Sequence, residues 1–238
     1  MVIEIDLNET NTKSFNSGGL IQENAKSKFF DLINKLLLEI PIREDYKFPK
    51  NSFLRVHNTI LINGKRGVGK TSFILSMMDA WVDELDICVL NIIDPTLIET
   101  KEHVFLNIIT SIKDRVENYS KHAQNYHYDN NDSLRELKNS LKNLAGGLSI
   151  LDGIGTNHLE DSMWDSPELI LEKGLSNSKQ GKDLEENFHK FIDESLKIIG
   201  SKAFFLVLDD IDTSLEKGIS IMETLRKYLT SPKLIISI

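Results

Sequence analysis

The chain has 238 residues, of which 40% are apolar and 27% charged, with a formal net charge of −8. That is enough apolar material for one core or a domain with an appendage, and the acidic balance argues against a broad nucleic-acid surface while leaving a local basic stripe open. One cysteine, Cys88, excludes an intramolecular disulfide; with no basic-then-apolar leader and no stretch of membrane-spanning length, the expectation is a cytoplasmic protein without a membrane partner.

The first twenty residues are polar, include Gly18-Gly19, and read as a flexible or partner-dependent arm. From Leu20 to Ile40, apolar residues at 29, 32, 33, 36, 37 and 40 predict an amphipathic helix ended by Pro41. Arm and helix form an expected N-terminal unit, residues 1–50, ahead of a core over 51–238. Thr59-Ile60-Leu61-Ile62-Asn63 then has the β-branched content and length of a buried strand, and Phe73, Ile74, Met77, Met78 and Trp81 recur at helical spacing.

Between that strand and that helix stands Gly64-Lys65-Arg66-Gly67-Val68-Gly69-Lys70-Thr71, which fits Gly-x-x-x-x-Gly-Lys-[Ser/Thr] at every fixed position. Nucleoside triphosphates carry several negative charges, and backbone N–H groups can grip them if the chain comes close and adopts positive φ, which Gly64, Gly67 and Gly69 allow. The loop feeds a helix N-terminus, where unpaired N–H groups attract anions. Lys70 is the candidate cation for the β- and γ-phosphates, Thr71 the candidate Mg²⁺ ligand, and Ser72 the N–H donor to the α-phosphate. A chance match in a glycine-containing turn is the plain alternative; strand, loop and helix in this order weigh against it.

Asp86 to Ile93 is the second expected strand, stopped by Asp94-Pro95, with Cys88 inside it as a buried structural thiol. Phe105, Ile108, Ile109, Ile112, Val116 and Tyr119 place a helix over Val104 to Tyr119. This βαβα order predicts an α/β fold, a parallel sheet flanked by helices on both faces, and with the loop at 64–71 it resembles the sheet of a P-loop NTPase. More than eighty residues without a convincing strand follow, so a largely helical insertion is expected over about 120–200. Leu134, Leu137, Leu141 and Leu144 mark a helix ended by Gly146-Gly147; Ser149 to Gly181 reads as long loop, with Trp164 as a docking residue or a loop cover. Leu184, Phe188, Phe191, Ile192, Leu196 and Ile199 mark another helix, stopped by Gly200. Histidines 57, 103, 122, 127, 158 and 189 are scattered and make no metal cluster; His122 and His127 read as surface residues.

Phe204-Phe205-Leu206-Val207-Leu208 is continuously apolar, so Asp209 and Asp210 emerge at the carboxyl end of a strand buried on both faces. Asp209 is the candidate Mg²⁺ carboxylate and Asp210 the candidate catalytic residue that orients or deprotonates water, with Lys70 as its cationic counterpart. A strand-ending turn with a helix N-cap is the alternative, although Asp212 or Thr213, before the run from Leu215, suits a cap better.

Gly64 to Ser72, Asp209-Asp210 and the strand after them resemble the AAA+ and STAND branch of P-loop ATPases, over roughly residues 55–120 and 200–238. The resemblance implies ATP and Mg²⁺, a homo-oligomer in which a neighbour completes the site, and a γ-phosphate-sensing polar residue ending the strand Lys233-Leu234-Ile235-Ile236-Ser237-Ile238. Its fifth strand, arginine finger, second sensor and lid are not in the chain; the sheet is expected to be truncated at the C-terminus, the parent protein to be longer, and this stretch alone to be inactive. More narrowly, Arg66-Gly67-Val68-Gly69-Lys70-Thr71-Ser72-Phe73 with Ile93-Asp94-Pro95-Thr96-Leu97-Ile98-Glu99 looks like the ATPase subunit of the RADAR antiviral system. That likeness implies a ring partnered with an adenosine deaminase, while Asp94-Pro95-Thr96 also suits a plain turn capped by Thr96. The functions in competition are an ATPase motor or switch, a nucleotide-gated signalling scaffold with little turnover, a DNA-handling ATPase, and, with no second substrate motif to support it, a small-molecule kinase.

Overall fold

The computed structural model describes residues 23–44, 55–65, 67–81, 86–98, 104–123, 131–147, 167–211 and 215–238. Four short segments form strands, the half-polar β1 (Asn58–Ile60) and the mainly apolar β2 (Ile87–Val89), β3 (Ala203–Val207) and β4 (Leu234–Ser237). They make one sheet in the order β1-β4-β3-β2, every pair parallel. Parallel neighbours need crossovers, and helices supply them. α2 (Lys70–Trp81) follows β1, α3 (Val104–Ala123) follows β2, and α6 (Leu215–Lys227) joins β3 to β4. α1 (Glu23–Glu44) precedes the sheet, and α4 (Asn131–Gly147) and α5 (Pro167–Ile199) lie between α3 and β3.

Helices cover both faces, as the α/β reading requires. On one face α1 and α2 bury Phe29, Ile33, Phe73, Met77 and Trp81 against Ile60, Phe205, Val207 and Ile235. Trp81 sits 5.1 Å from Phe205 and 5.6 Å from Phe29, ring centre to ring centre, so α1 is tied into this face by aromatic contact. On the other face α3, α5 and α6 pack Phe105, Ile108, Phe188, Phe191 and Ile221 against Phe204, Leu206 and Ile236, and α4 adds Leu144 from outside. Cys88 is buried in this face, and burial pushes its thiol pKa up despite the nearby Arg115.

Several boundaries differ from the sequence reading. α1 does not stop before Pro41 but carries it inside the helix and ends at Glu44. Proline removes one helical hydrogen bond and crowds the preceding turn, and so near the end of a helix anchored by Phe29, Ile33, Leu37 and Ile40 that loss is outweighed. The expected loop over Ser149 to Gly181 is helical from Pro167 onward. Proline suits the first helical position, and Gly174 and Gly181, at about 1 kcal/mol each, are carried into the firmly packed stretch 184–196. Tyr119 is 45% exposed rather than part of the buried stripe of α3.

The second strand is also shorter than expected, for a visible reason. Leu90 donates its N–H to Phe205 and Ile93 to Val207, so one strand advances three residues while its neighbour advances two. The extra residue is a bulge that shifts which face each following side chain meets. The 1–20 arm, Trp164, His103, His127, His158 and the candidate caps Asp212 and Thr213 lie outside the described residues, as does the His122 side chain.

The amino edge of the sheet carries a polar network. Arg55 Nε donates to Glu185 Oε1 at 2.7 Å, the Thr230 hydroxyl donates to the same oxygen, and His189 Nε2 lies 2.9 Å from Thr230 Oγ1. With the Thr230 proton committed to Glu185, His189 is the donor, in its neutral Nε2–H form. Burial, helped by the positive charge of Arg55, lowers the His189 pKa from 6.5 to about 4. The unfolded chain therefore binds a proton between pH 6.5 and about 4 that the folded chain refuses. Stability from neutral His189 is complete above pH 6.5 and is lost as pH falls towards 4, by about 3 kcal/mol at the limit. Urea midpoints should drop over this window, and His189→Gln should flatten the drop; an equal slope in the variant would clear His189 of any part in it.

Candidate active site

Because the sheet is parallel, all four strands end on one edge. Register brings Ile60, Ser237 and Val207 side by side across β1, β4 and β3. The glycine-rich loop leaves β1 and the two aspartates leave β3 at this edge, separated by one intervening strand, roughly 10 Å at two strand spacings. The ladder continues past the strands: Ile62 donates to Ile238 at 2.8 Å, and Leu208 to Ser237 at 2.9 Å. Both segments are thus held by backbone bonds up to the residues of interest.

Two of the loop's three glycines take the positive φ expected of them, and Gly64 serves by close approach instead. Gly67 and Gly69 have φ of 84° and 88°, which residues with a Cβ rarely adopt. A Cβ on Gly64 would fall 2.8 Å from Val68 Cγ2, so the loop closes this tightly only with glycine there. Phe73 N–H bonds to the Gly69 carbonyl at 2.9 Å and starts α2, whose first turn holds no acidic residue. The N–H groups ahead of it belong to the turn that has no helical acceptors, and the helix dipole adds partial positive charge there. Lys70, Thr71 and Ser72 are half-buried in that turn, while Lys65 and Gly67 are exposed. Arg66 lies outside the described residues.

Across the edge, Ala203, Phe205 and Val207 face α1 and α2. Strand alternation puts Asp209 on this same face, the one carrying α2, and its N–H is fixed on the Ile93 carbonyl at 3.0 Å. Asp210 breaks the alternation. Its φ is 54°, a left-handed conformation that costs a residue with a Cβ about 1–2 kcal/mol, and its N–H turns back onto Asp209 Oδ1 at 3.1 Å. Strain of this kind gathers at functional sites. Asp210 is exposed and Asp209 half-exposed.

Ser237 is the polar residue near the end of the strand for which the resemblance implies a γ-phosphate contact, and its surroundings are not legible in the motif. It is fully buried on β4, between Ile60 and Val207, and among the described residues its Oγ has no hydrogen-bond partner. A buried unpaired hydroxyl costs about 1–3 kcal/mol; Ser111 and Ser120 on α3 carry the same cost, and what sets Ser237 apart is its place between the two motifs. Asp94, by contrast, has a structural role. Its Oδ1 accepts from the Thr96 N–H at 2.8 Å and the Thr96 hydroxyl at 2.6 Å, so Asp94, not Thr96, caps the 3₁₀ turn Pro95–Leu97. Lys217 and Gly218 also escaped the sequence reading; a glycine in the first turn of α6 was the available signal.

A left-handed glycine loop on a helix N-terminus, a carboxylate pair one strand away and an orphaned hydroxyl between them fit a nucleoside triphosphate with Mg²⁺. Fold and site define a P-loop NTPase domain. Residues 46–237 match the KAP family P-loop domain, and the chain belongs to that family. No match was found among curated proteins. Among the described residues no helix is long and apolar enough to cross a membrane.

Proposed function

We propose that the protein binds ATP with Mg²⁺, hydrolyses its terminal phosphoanhydride bond, and uses the resulting change to drive a partner as a motor or switch. The observation that supports this most is the shared carboxyl edge of the glycine loop and Asp209-Asp210, with Asp210 in a left-handed conformation. In this reading the loop from Gly64 to Ser72 takes the phosphate oxygens on its backbone N–H groups. Lys70 neutralises charge between the β- and γ-phosphates. Thr71 and Asp209 would hold Mg²⁺, which supplies further neutralisation of the phosphate oxygens. Asp210 orients a water and takes its proton; the water oxygen bonds to the γ-phosphorus as the bond to the bridging oxygen breaks, leaving ADP and phosphate. The Ser237 hydroxyl gives the polar γ-phosphate contact expected at the end of that strand.

Aspartate is one methylene shorter than the glutamate found here in many ATPases, so slow turnover is expected. That same shortening favours a second reading, a nucleotide-gated scaffold that binds ATP, barely hydrolyses it and uses α4 and α5 as an interaction surface. A homo-oligomeric ring in which a neighbour completes the site, and antiviral defence beside an adenosine deaminase, extend the first reading on the strength of the AAA+-like and RADAR-like motifs. Steady-state phosphate release by the full-length protein, across a dilution series and with and without DNA, tests the set. Mg²⁺-dependent turnover that falls on dilution supports the shared-site ATPase; tight binding without turnover selects the scaffold; stimulation by DNA selects a DNA-handling ATPase. Failure to bind nucleotide would sink all three.

A further inference from the structure

The first turn of α6 is held from two sides. Lys217 Nζ donates to the carbonyl oxygens of Pro95 at 3.2 Å, Thr96 at 3.2 Å and Ile98 at 2.8 Å. On the next residue, Gly218, a Cβ would lie 2.9 Å from the carbonyl oxygen of Ile211, so the helix approaches the backbone just after Asp210 closely because no side chain intervenes. The turn gripped by Lys217 is itself joined to β3 behind Asp209. Ile93 bridges to Leu208, and the Asp209 N–H donates to the Ile93 carbonyl at 3.0 Å.

These contacts close a ring. It runs from Asp209 and Asp210 to Ile211, across its close approach to Gly218, from Lys217 to the carbonyls of Pro95, Thr96 and Ile98, and back through Asp94 and Ile93 to Asp209. Asp210, with its φ of 54°, stands inside it. An apolar contact would join α6 to the 3₁₀ turn equally well, but would leave their relative orientation loose. A cation on several carbonyls makes charge-assisted, directional bonds, and these fix orientation as well as distance.

We propose that Lys217 and Gly218 are positioning residues for Asp210: they lock the start of α6 against the 95–98 turn and the Ile211 carbonyl, and thereby hold Asp210 in the left-handed conformation from which it acts on water. The inference rests on the reading of Asp210 as the water-orienting carboxylate. It makes Lys217 act through Asp210, not on the nucleotide.

The test uses the full-length protein. Lys217→Met, of similar length and without charge, should lower kcat roughly tenfold or more while nucleotide affinity stays unchanged and the melting temperature falls by only a few degrees, and Lys217→Arg should recover most of the loss. In an Asp210→Asn background the same change should cost less than about twofold more, because both substitutions disable one unit. Hydrogen exchange should quicken together in peptides covering 95–98 and 209–218. Additive losses in the double variant, or affinity falling in step with kcat, would overturn the proposal. So would unchanged exchange over 209–218, and that readout decides the matter even if the wild type shows no turnover, an outcome that defeats the hydrolysis reading alone. Should Lys217→Met fail to fold, Gly218→Ala presses on the Ile211 carbonyl from the other side and should give the same selective loss of kcat; wild-type kcat in that variant would count against the clamp.

Discussion

Lys70→Ala is expected to abolish high-affinity nucleotide binding. The loop's glycines and the N-terminus of α2 offer partial charges, whereas Lys70, half-buried at the first position of that helix, brings a full one. A charge-assisted hydrogen bond to a group withdrawn from bulk water contributes about 1.5–3 kcal/mol, so losing it should weaken binding roughly tenfold to a hundredfold or more. Nothing in the packing of α2 depends on the ammonium group: the helix is anchored by Phe73, Ile74, Met77 and Trp81. The melting temperature without nucleotide should therefore stay as in the wild type while the calorimetric titration shows affinity weakened by at least roughly tenfold. Wild-type affinity in the variant would remove Lys70 from the phosphate site.

The second large effect separates the two carboxylates. Asp209 continues the alternation of β3 towards the face of α2 and Thr71, and its backbone is pinned to Ile93, which suits a fixed metal ligand. Asp210 sits one residue later in a left-handed conformation and points out of that alternation. Asp209→Asn should weaken Mg²⁺-dependent nucleotide binding roughly tenfold or more, leaving the metal-free component unchanged. Asp210→Asn should leave binding intact and slow hydrolysis by about a hundredfold or more, in the range for loss of a general base. Asparagine also tolerates the left-handed region, so the backbone is preserved in that variant. Titrations with and without Mg²⁺, beside single-turnover phosphate release, distinguish the two roles. Equal hydrolysis by Asp210→Asn and wild type would assign Asp210 to the turn alone.

How legible the site was depends on how local each part is. Gly64 to Ser72 announced its conformation because glycine at 67 and 69 is what positive φ requires, and that preference lies in the residues themselves. The apolar run at 204–208 announced a strand buried on both faces for an equally local reason. Lys217 carried no such mark. A lysine near the start of a helix normally lies in solvent, and only the approach of residues 95–98, more than a hundred positions earlier, gives it three carbonyls. Pro41 and the stretch before Gly181 depart from the sequence reading for the reverse reason: a proline and glycines weaken a helix locally, while burial elsewhere on the same helix sustains it.

Local signals alone mark a glycine-rich loop between a strand and a helix, a carboxylate pair at the end of another strand, and helices enough to cover a parallel sheet. Those features follow from φ preferences, side-chain periodicity and the apolarity of short segments, none of which needs a distant partner. The folded chain alone places β4 between β1 and β3, buries Ser237 between loop and carboxylates with no partner among the described residues, and makes Asp94 a cap. It also clasps α6 to the 3₁₀ turn. Strand order and long-range polar contacts depend on which surfaces meet after the chain has closed over separations of many tens of residues, and hydrophobic pattern is the same for every order that buries the same strands.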